Sequence, residues 1–530
     1  MEKYVIVDRY FDGYKWENNS TIFKVKNGII AEKYTANKQD MENIMESGNE
    51  VLDLRGKFVT PGLIDSHDHF MLTSLKLKYQ VDFSGVRSFE DFRRVLEENR
   101  NKIVHGWFQG YGINEYNMKE KRLPDIKIID EIMGNTPVFI TQMTEHYGIC
   151  NSRSLEIAGI DRNTADPANG KLGRNSDGNP DGVLYEANAM DMVKSRIPEY
   201  TLDDYIEAII SGSEMYRKAG LSTVKDIGGT GNDVNEETRI RALNRISKEG
   251  NHKIRIAVAL PVYSLKDVSR KIELAGILEE NQHIMFAGFK MFLDGSILSR
   301  TAWMKHSYVG SKDNMGIPLW DIKNFREGLK QLSATGHHIS IHTIGDRAIE
   351  TALDSIEELK NSGVASRYAL VHCYKLEEKT IEKIKKLNVG VETQLAFVYF
   401  IGDSLSDNIG LDQSKCLFPA KTMVEKGIRV SNGSDSPVTP FDPLYGIYSS
   451  VFRKTLTGKN SSVYSNNESL TIEETVKTYT SESAAVIGWN EIGSLETGKF
   501  SDFTVWDPDP ATAGKNIEDY LHINLKSITL

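Results

Sequence analysis

The chemistry in this chain starts at Pro61-Gly-Leu-Ile-Asp-Ser-His-Asp-His69. Gly62–Ile64 read as part of a buried strand, with His67 and His69 at its C-terminal end. Side chains two apart on an extended backbone project to the same side. Two neutral imidazoles converging on one point suit zinc and its neighbours. An HxH pair alone is a weak signal, since two polar residues at a strand end need no metal. Three further positions share the pattern. His342 ends Ile339–Ile341, His372 ends Ala369–Val371, and Asp435 follows Ile428–Ser434. Each stands at the C-terminal end of an expected strand, where parallel barrels build their sites. The step from His342 to His372 is about one βα unit of ~30 residues. From His372 to Asp435 is about two, with an intervening strand, Val389–Thr393, that carries no ligand of its own.

Gly288-Phe-Lys-Met-Phe-Leu-Asp-Gly295 adds a lysine inside an apolar strand, where an ammonium is costly to bury. Lys290 is either paired with Asp294 or another carboxylate, or it is carbamylated, an anionic oxygen donor able to bridge two metals.

These ligands must be positioned by strands alternating with helices, the signature of a parallel α/β fold. Thr201 and Asp204 have capping-box-like spacing. Tyr205, Ile206, Ile209, Ile210 and Met215 then fall largely on one helical face, and Gly220 stands at the expected stop. The strand Thr223–Ile227 follows, and a helix from about Arg347 to Lys360 separates His342 from His372. The ends differ. Lys3–Val7, Thr21–Val25, Gly28–Glu32, Glu50–Asp53 and Phe58–Thr60 read as strands, as do Gly493–Leu495, Gly498–Lys499 and Asp502–Trp506. Residues 75–200 break the rhythm and are read as a large insertion between the first and second barrel strands.

The chain has 530 residues, 40% hydrophobic and 26% charged, with a formal net charge of -10, so wholesale disorder and a polyanionic partner are both disfavoured. The first residues lack an apolar leader and no long apolar run occurs, so a cytoplasmic location is expected. Cys150, Cys373 and Cys416 are too widely spaced for a thiolate zinc site or a disulfide framework. No phosphate-cradling glycine motif suggests a nucleotide.

The sequence resembles the amidohydrolase superfamily, and within it the YtcJ-like group that includes N-substituted formamide deformylases. The resemblance runs through nearly the whole chain. It rests on the Pro61–His69 motif, Gly106-Trp-Phe-Gln-Gly-Tyr-Gly112, His146 with Asn151-Ser152, and Gly182-Val-Leu-Tyr-Glu186. Lys290-Met-Phe-Leu-Asp-Gly-Ser296 with Arg300-Thr-Ala302, His342-Thr-Ile-Gly-Asp-Arg-Ala348, Gly433-Ser-Asp-Ser-Pro-Val438 and Gly493–Asp502 complete it. It departs from the group's pattern at Thr144-Glu-His146, where Asp-Gly-His is usual, and at Leu298-Ser-Arg300, where a glycine is commoner.

The resemblance implies a distorted TIM (β/α)8 barrel over 59–484 with a small β-sandwich domain from 1–58 and 485–530. It implies one or two divalent metals, zinc being the expected ion, held by His67, His69, Lys290 (N6-carboxylated), His342, His372 and Asp435. The chemistry expected of that site is hydrolysis of a non-peptide C–N bond, an amide, N-acyl or N-formyl group, by metal-activated hydroxide. Asp435 serves as general base and then acid. His146, Trp107, Arg300 and Trp303 are candidate substrate contacts, although packing is the plainer reading of both tryptophans. A small-molecule substrate and a homodimer are expected, with neither nucleic acid nor membrane. Deamination, lactone or cyclic-amide hydrolysis, and metal-assisted isomerisation or decarboxylation stay open on the same scaffold. A non-catalytic metal-binding subunit is the alternative from another class.

Overall fold

A computed structural model describes residues 2–143, 146–168, 170–229, 233–464 and 467–530. Thr144 and Glu145, one of the two departures from the group's pattern, lie outside the described residues. The chain divides into two compact units. One runs up to Leu72 and resumes over Ile209–Leu530; the other is Thr73–Ala208.

The larger unit is organised by eight parallel strands: β1 Leu63–Asp68, β2 Leu221–Asp226, β3 Arg255–Val262, β4 Ile284–Phe292, β5 Ile339–Thr343, β6 Tyr368–His372, β7 Gly390–Thr393 and β8 Val430–Asn432. They pair in chain order from β1 to β8, a distorted TIM barrel. Their runs of Val, Ile, Leu and Ala are buried almost throughout, as strands covered on both faces must be.

The seam between β8 and β1 is closed at its C-terminal end by single bonds. Asp435 N donates to His67 O at 2.8 Å, and the Asp65 carboxylate accepts from Ser434 N at 3.1 Å. Gly433 permits this approach, because a Cβ there would stand 2.6 Å from His67 N.

Register levels the strand ends. Phe292 pairs with His342, Thr343 with His372 and Thr393 with Asn432. The site residues therefore share one rim. The helices between strands are set by local chemistry. Thr201 accepts from Asp204 N and donates to its carboxylate ahead of Leu202–Lys218. Helix Asp346–Asn361 buries Ala348, Ile349, Ala352, Leu353 and Ile356 against the barrel side.

Also in this unit are a four-stranded sheet, in the order Ile29–Thr35, Thr21–Lys26, Glu2–Val7, Glu50–Asp53, and a five-stranded one that pairs Asp502–Asp507 with Phe58–Pro61. They share an apolar core that includes Val5, Phe23, Val25, Val59, Phe503 and Val505. Gly493–Leu495 and Gly498–Lys499 are turns here rather than the strands expected. Gly493 and Gly498 take φ +84° and +91°, which reverse the chain, while Leu495 is buried in the same core.

The second unit holds a seven-stranded sheet around Trp107–Ile113, Val138–Gln142 and Tyr147–Cys150, with its own apolar clusters. Among the described residues no helix is long and apolar enough to cross a membrane.

Candidate metal centre

His67, His69, Lys290, His342, His372 and Asp435 are gathered at the C-terminal rim of the barrel. His67 Nε2 and His69 Nε2 stand 3.4 and 3.5 Å from Asp435 Oδ1, and Lys290 Nζ lies 3.5 Å from His67 Nε2. The His372 ring is 5.4 Å from that of His67 and 4.5 Å from that of His342. Donors around one tetrahedral zinc, with bonds of ~2.0–2.1 Å, stand about 3.3 Å apart. The edges at Asp435 already have that length. The set as a whole is not drawn together: among the described residues no three His, Cys, Asp or Glu groups form a closed metal cluster.

The outer hydrogen bonds decide what each imidazole offers inward. His67 Nδ1 lies 3.1 Å from Glu392 Oε2, and Glu392 is ionised because its other oxygen accepts from the Lys225 ammonium at 2.5 Å. A carboxylate can only accept, so His67 carries its proton on Nδ1 and keeps a lone pair on Nε2. His69 Nδ1 donates to Gly228 O at 2.8 Å with the same result. His372 Nδ1 donates to Gln394 Oε1 at 2.7 Å, and the amide is oriented by Gln394 Nε2, which donates to Glu392 O. His342 is turned the other way. Its Nε2 donates to Gly295 O at 3.1 Å, which leaves Nδ1 as the donor atom.

Burial, then the nearby Lys290, lowers the His67 and His342 pKa, the latter to about 3. Burial, then His342, depresses His372 strongly. Buried lone pairs facing a buried carboxylate repel one another unless a cation lies between them, and neutral imidazole with carboxylate is what a divalent metal binds. The donor set therefore fits a metal.

Two of the six positions are conformationally costly. His372 has φ +68° and Asp435 φ +56°, in the left-handed region that residues with a Cβ avoid. Such backbone persists where surrounding bonds over-determine it, and it gathers at functional sites. Asp435 is pinned by the seam bond to His67 O, and the next residue after His372 by Cys373 N donating to Thr343 O at 3.0 Å.

Lys290 is fully buried on β4, and burial brings its pKa from 10.5 to about 7. It is not paired with Asp294. That carboxylate is occupied by the backbone N–H groups of Ile344, Gly345 and Trp303, at 3.0, 2.8 and 2.8 Å.

The proposed substrate contacts divide between the two units. Trp303 is joined at its backbone to Asp294 and to the start of helix Asp346–Asn361. Arg300 is exposed, at φ +57°, and donates to Asn408 Oδ1 at 2.7 Å. The other two belong to the second unit. Trp107 is 4% exposed within an apolar cluster with Phe139, Leu155 and Leu184, a packing role, and the exposed His146 meets Glu186 at 3.2 Å.

Glu392 and Gln394, which set the His67 and His372 rings, stand on and just after β7, the strand that in sequence carries no ligand of its own. The signal was there. A carboxylate following Val389-Gly-Val391 is as anomalous in a buried strand as Lys290 is in β4.

The model of the amidohydrolase family matches residues 50–519. The chain belongs to that family. Among relatives of this amidohydrolase, a putative amidohydrolase YtcJ of Bacillus subtilis (strain 168) is 28% identical over 468 residues, 87% of this chain and 86% of that one. An N-substituted formamide deformylase of Arthrobacter pascens is 27% identical over 477 residues, 87% of this chain and 85% of that one. An uncharacterized metal-dependent hydrolase from Pyrococcus horikoshii OT3 has the same fold, with a TM-score of 0.79 at 23% identity over 97% of this chain and 99% of that one. Family membership implies a hydrolase that uses a divalent metal.

Proposed function

We propose that the protein hydrolyses a non-peptide C–N bond, an N-acyl or N-formyl amine, at the site begun by His67 and His69. The observation that carries this reading is the outward pinning of the ring protons of His67, His69, His342 and His372 around the Asp435 side chain. Zinc is the ion proposed, held by His67 Nε2, His69 Nε2, His342 Nδ1, His372 Nε2, Asp435 and Lys290. When bound, it would act as a Lewis acid on the scissile carbonyl and lower the pKa of water toward ~7.

Asp435 then does the proton work. It takes a proton as the water oxygen bonds to the acyl carbon. It returns that proton to the nitrogen as the C–N bond breaks and the amine leaves. Lys290 is proposed to work as its carbamate. The neutral amine attacks carbon dioxide, an N–C bond forms, one C=O pair moves onto oxygen and one N–H proton is released to water. Only an uncharged amine has the lone pair for this, which agrees with a pKa brought down to about 7. Similarity to the N-substituted formamide deformylase supports an acyl substituent as small as formyl.

The test is turnover by zinc-replete protein across N-formyl and N-acyl amines, lactones and aminopurines, with metal content measured beside it. Release of amine from the first group is expected. Turnover confined to lactones or aminopurines would contradict the reading.

A further inference from the structure

The barrel interior is normally filled by layers of apolar side chains. Here one layer is ionic. Lys225 on β2 donates to Glu392 Oε1 on β7 at 2.5 Å and to Ser340 Oγ on β5 at 2.7 Å, and Ser340 Oγ donates to the same Glu392 oxygen at 2.7 Å. His338 Nε2 lies 3.2 Å from Ser340 Oγ. Lys225, Ser340 and Glu392 are all 0% exposed. A buried pair of this kind contributes little net stability compared with apolar residues of like volume, so its retention wants another reason. The other Glu392 oxygen supplies one: Oε2 is the acceptor for His67 Nδ1–H.

We infer that Glu392 is a positioning residue for the metal, held anionic by Lys225 and Ser340 so that His67 keeps its proton on Nδ1 and its lone pair on Nε2. The interior ion pair thus reaches the metal through one imidazole. Carboxylate–histidine–metal arrangements orient the ring and strengthen the donor, and losing the outer carboxylate typically weakens metal binding by about 10–100-fold. His69 Nδ1 instead donates to an uncharged acceptor, the Gly228 carbonyl.

The inference rests on the metal-site reading above, and its test separates the two. Zinc affinity is measured by chelator competition for wild type, Glu392→Gln, and the double variant Lys225→Met with Glu392→Gln. The double variant removes both charges together, so that no unpaired ammonium remains to unfold the barrel. The expected result is a loss of about 10–100-fold in zinc affinity in both variants. Glu392→Asp is expected to recover part of it. Histidine ring 15N shifts of the metal-free wild type report the tautomer, which is expected to be Nδ1–H at His67. Wild-type zinc affinity in folded Glu392 variants, or Nε2–H at His67, would overturn the inference. Wild-type protein that binds no divalent metal would instead overturn the metal-site reading itself.

Discussion

Two lysines are sealed inside the same barrel, and their surroundings give them opposite characters. Lys225 is tied to Glu392 and Ser340 at hydrogen-bond distance. Burial lowers its pKa, but Glu392 pulls it back. Among the described residues no carboxylate is ion-paired with Lys290; its Nζ lies 3.5 Å from His67 Nε2, and burial takes its pKa to about 7. Burial with a partner makes an ammonium a structural charge. Burial without one makes it an amine, free to react or to bind.

The two lysines should differ most in turnover. Lys290→Ala is expected to lose turnover while staying folded, and Asp435→Asn to lose on the order of 10²–10⁴-fold in kcat with a smaller change in KM. Steady-state kinetics on the active N-acyl amine check both. Near-normal kcat in either variant would move the chemistry elsewhere.

Stability should rank the lysines the other way. Lys225→Met strands the Glu392 carboxylate in the barrel and is expected to cost about 3–5 kcal/mol. Lys290→Met in the metal-free protein replaces an unpaired buried amine and is expected to cost under about 1.5 kcal/mol. Urea unfolding of the metal-free variants measures the two, and equal losses would erase the distinction.

Metal sharpens it further. Zinc at about 100 times its Kd should stabilise the wild type by about 2.7 kcal/mol. The gain should shrink in Lys290→Ala, as read from thermal melts with and without chelator.

The smallest effect is in pH. The folded pKa of Lys290 lies below its ordinary 10.5, at about 7. Between those values the unfolded chain binds more protons than the folded one. Stability of the metal-free protein therefore gains from this group as pH rises from about 7 toward 10.5, and the full cost of burying the ammonium stands below about 7. Lys290→Met should flatten that part of the stability curve relative to wild type.

The sequence already displayed half of this contrast. Lys290 stood out because Gly288–Leu293 is otherwise apolar, and the C-terminal positions of His342, His372 and Asp435 on their strands followed from alternation and spacing. The barrel was legible for the same reason, since its strands are short apolar runs at βα intervals. Three things were not. The seam at Gly433 depends on a close approach between strands hundreds of residues apart. The turns at Gly493 and Gly498 look like strand ends until their positive φ is known. The partnership of Lys225 with Glu392 joins β2 to β7 across the barrel, so neither residue announces the other. Asp294 shows the converse: its proximity in sequence to Lys290 suggests an ion pair, but backbone N–H groups from elsewhere in the fold occupy it.

The most direct measurement is the 13C NMR spectrum of zinc-replete protein equilibrated with 13C-bicarbonate. One slowly exchanging carbamate resonance is expected in the wild type, absent from Lys290→Ala. A zinc-replete wild type without that resonance, or a resonance that survives Lys290→Ala, would contradict a carbamate at Lys290.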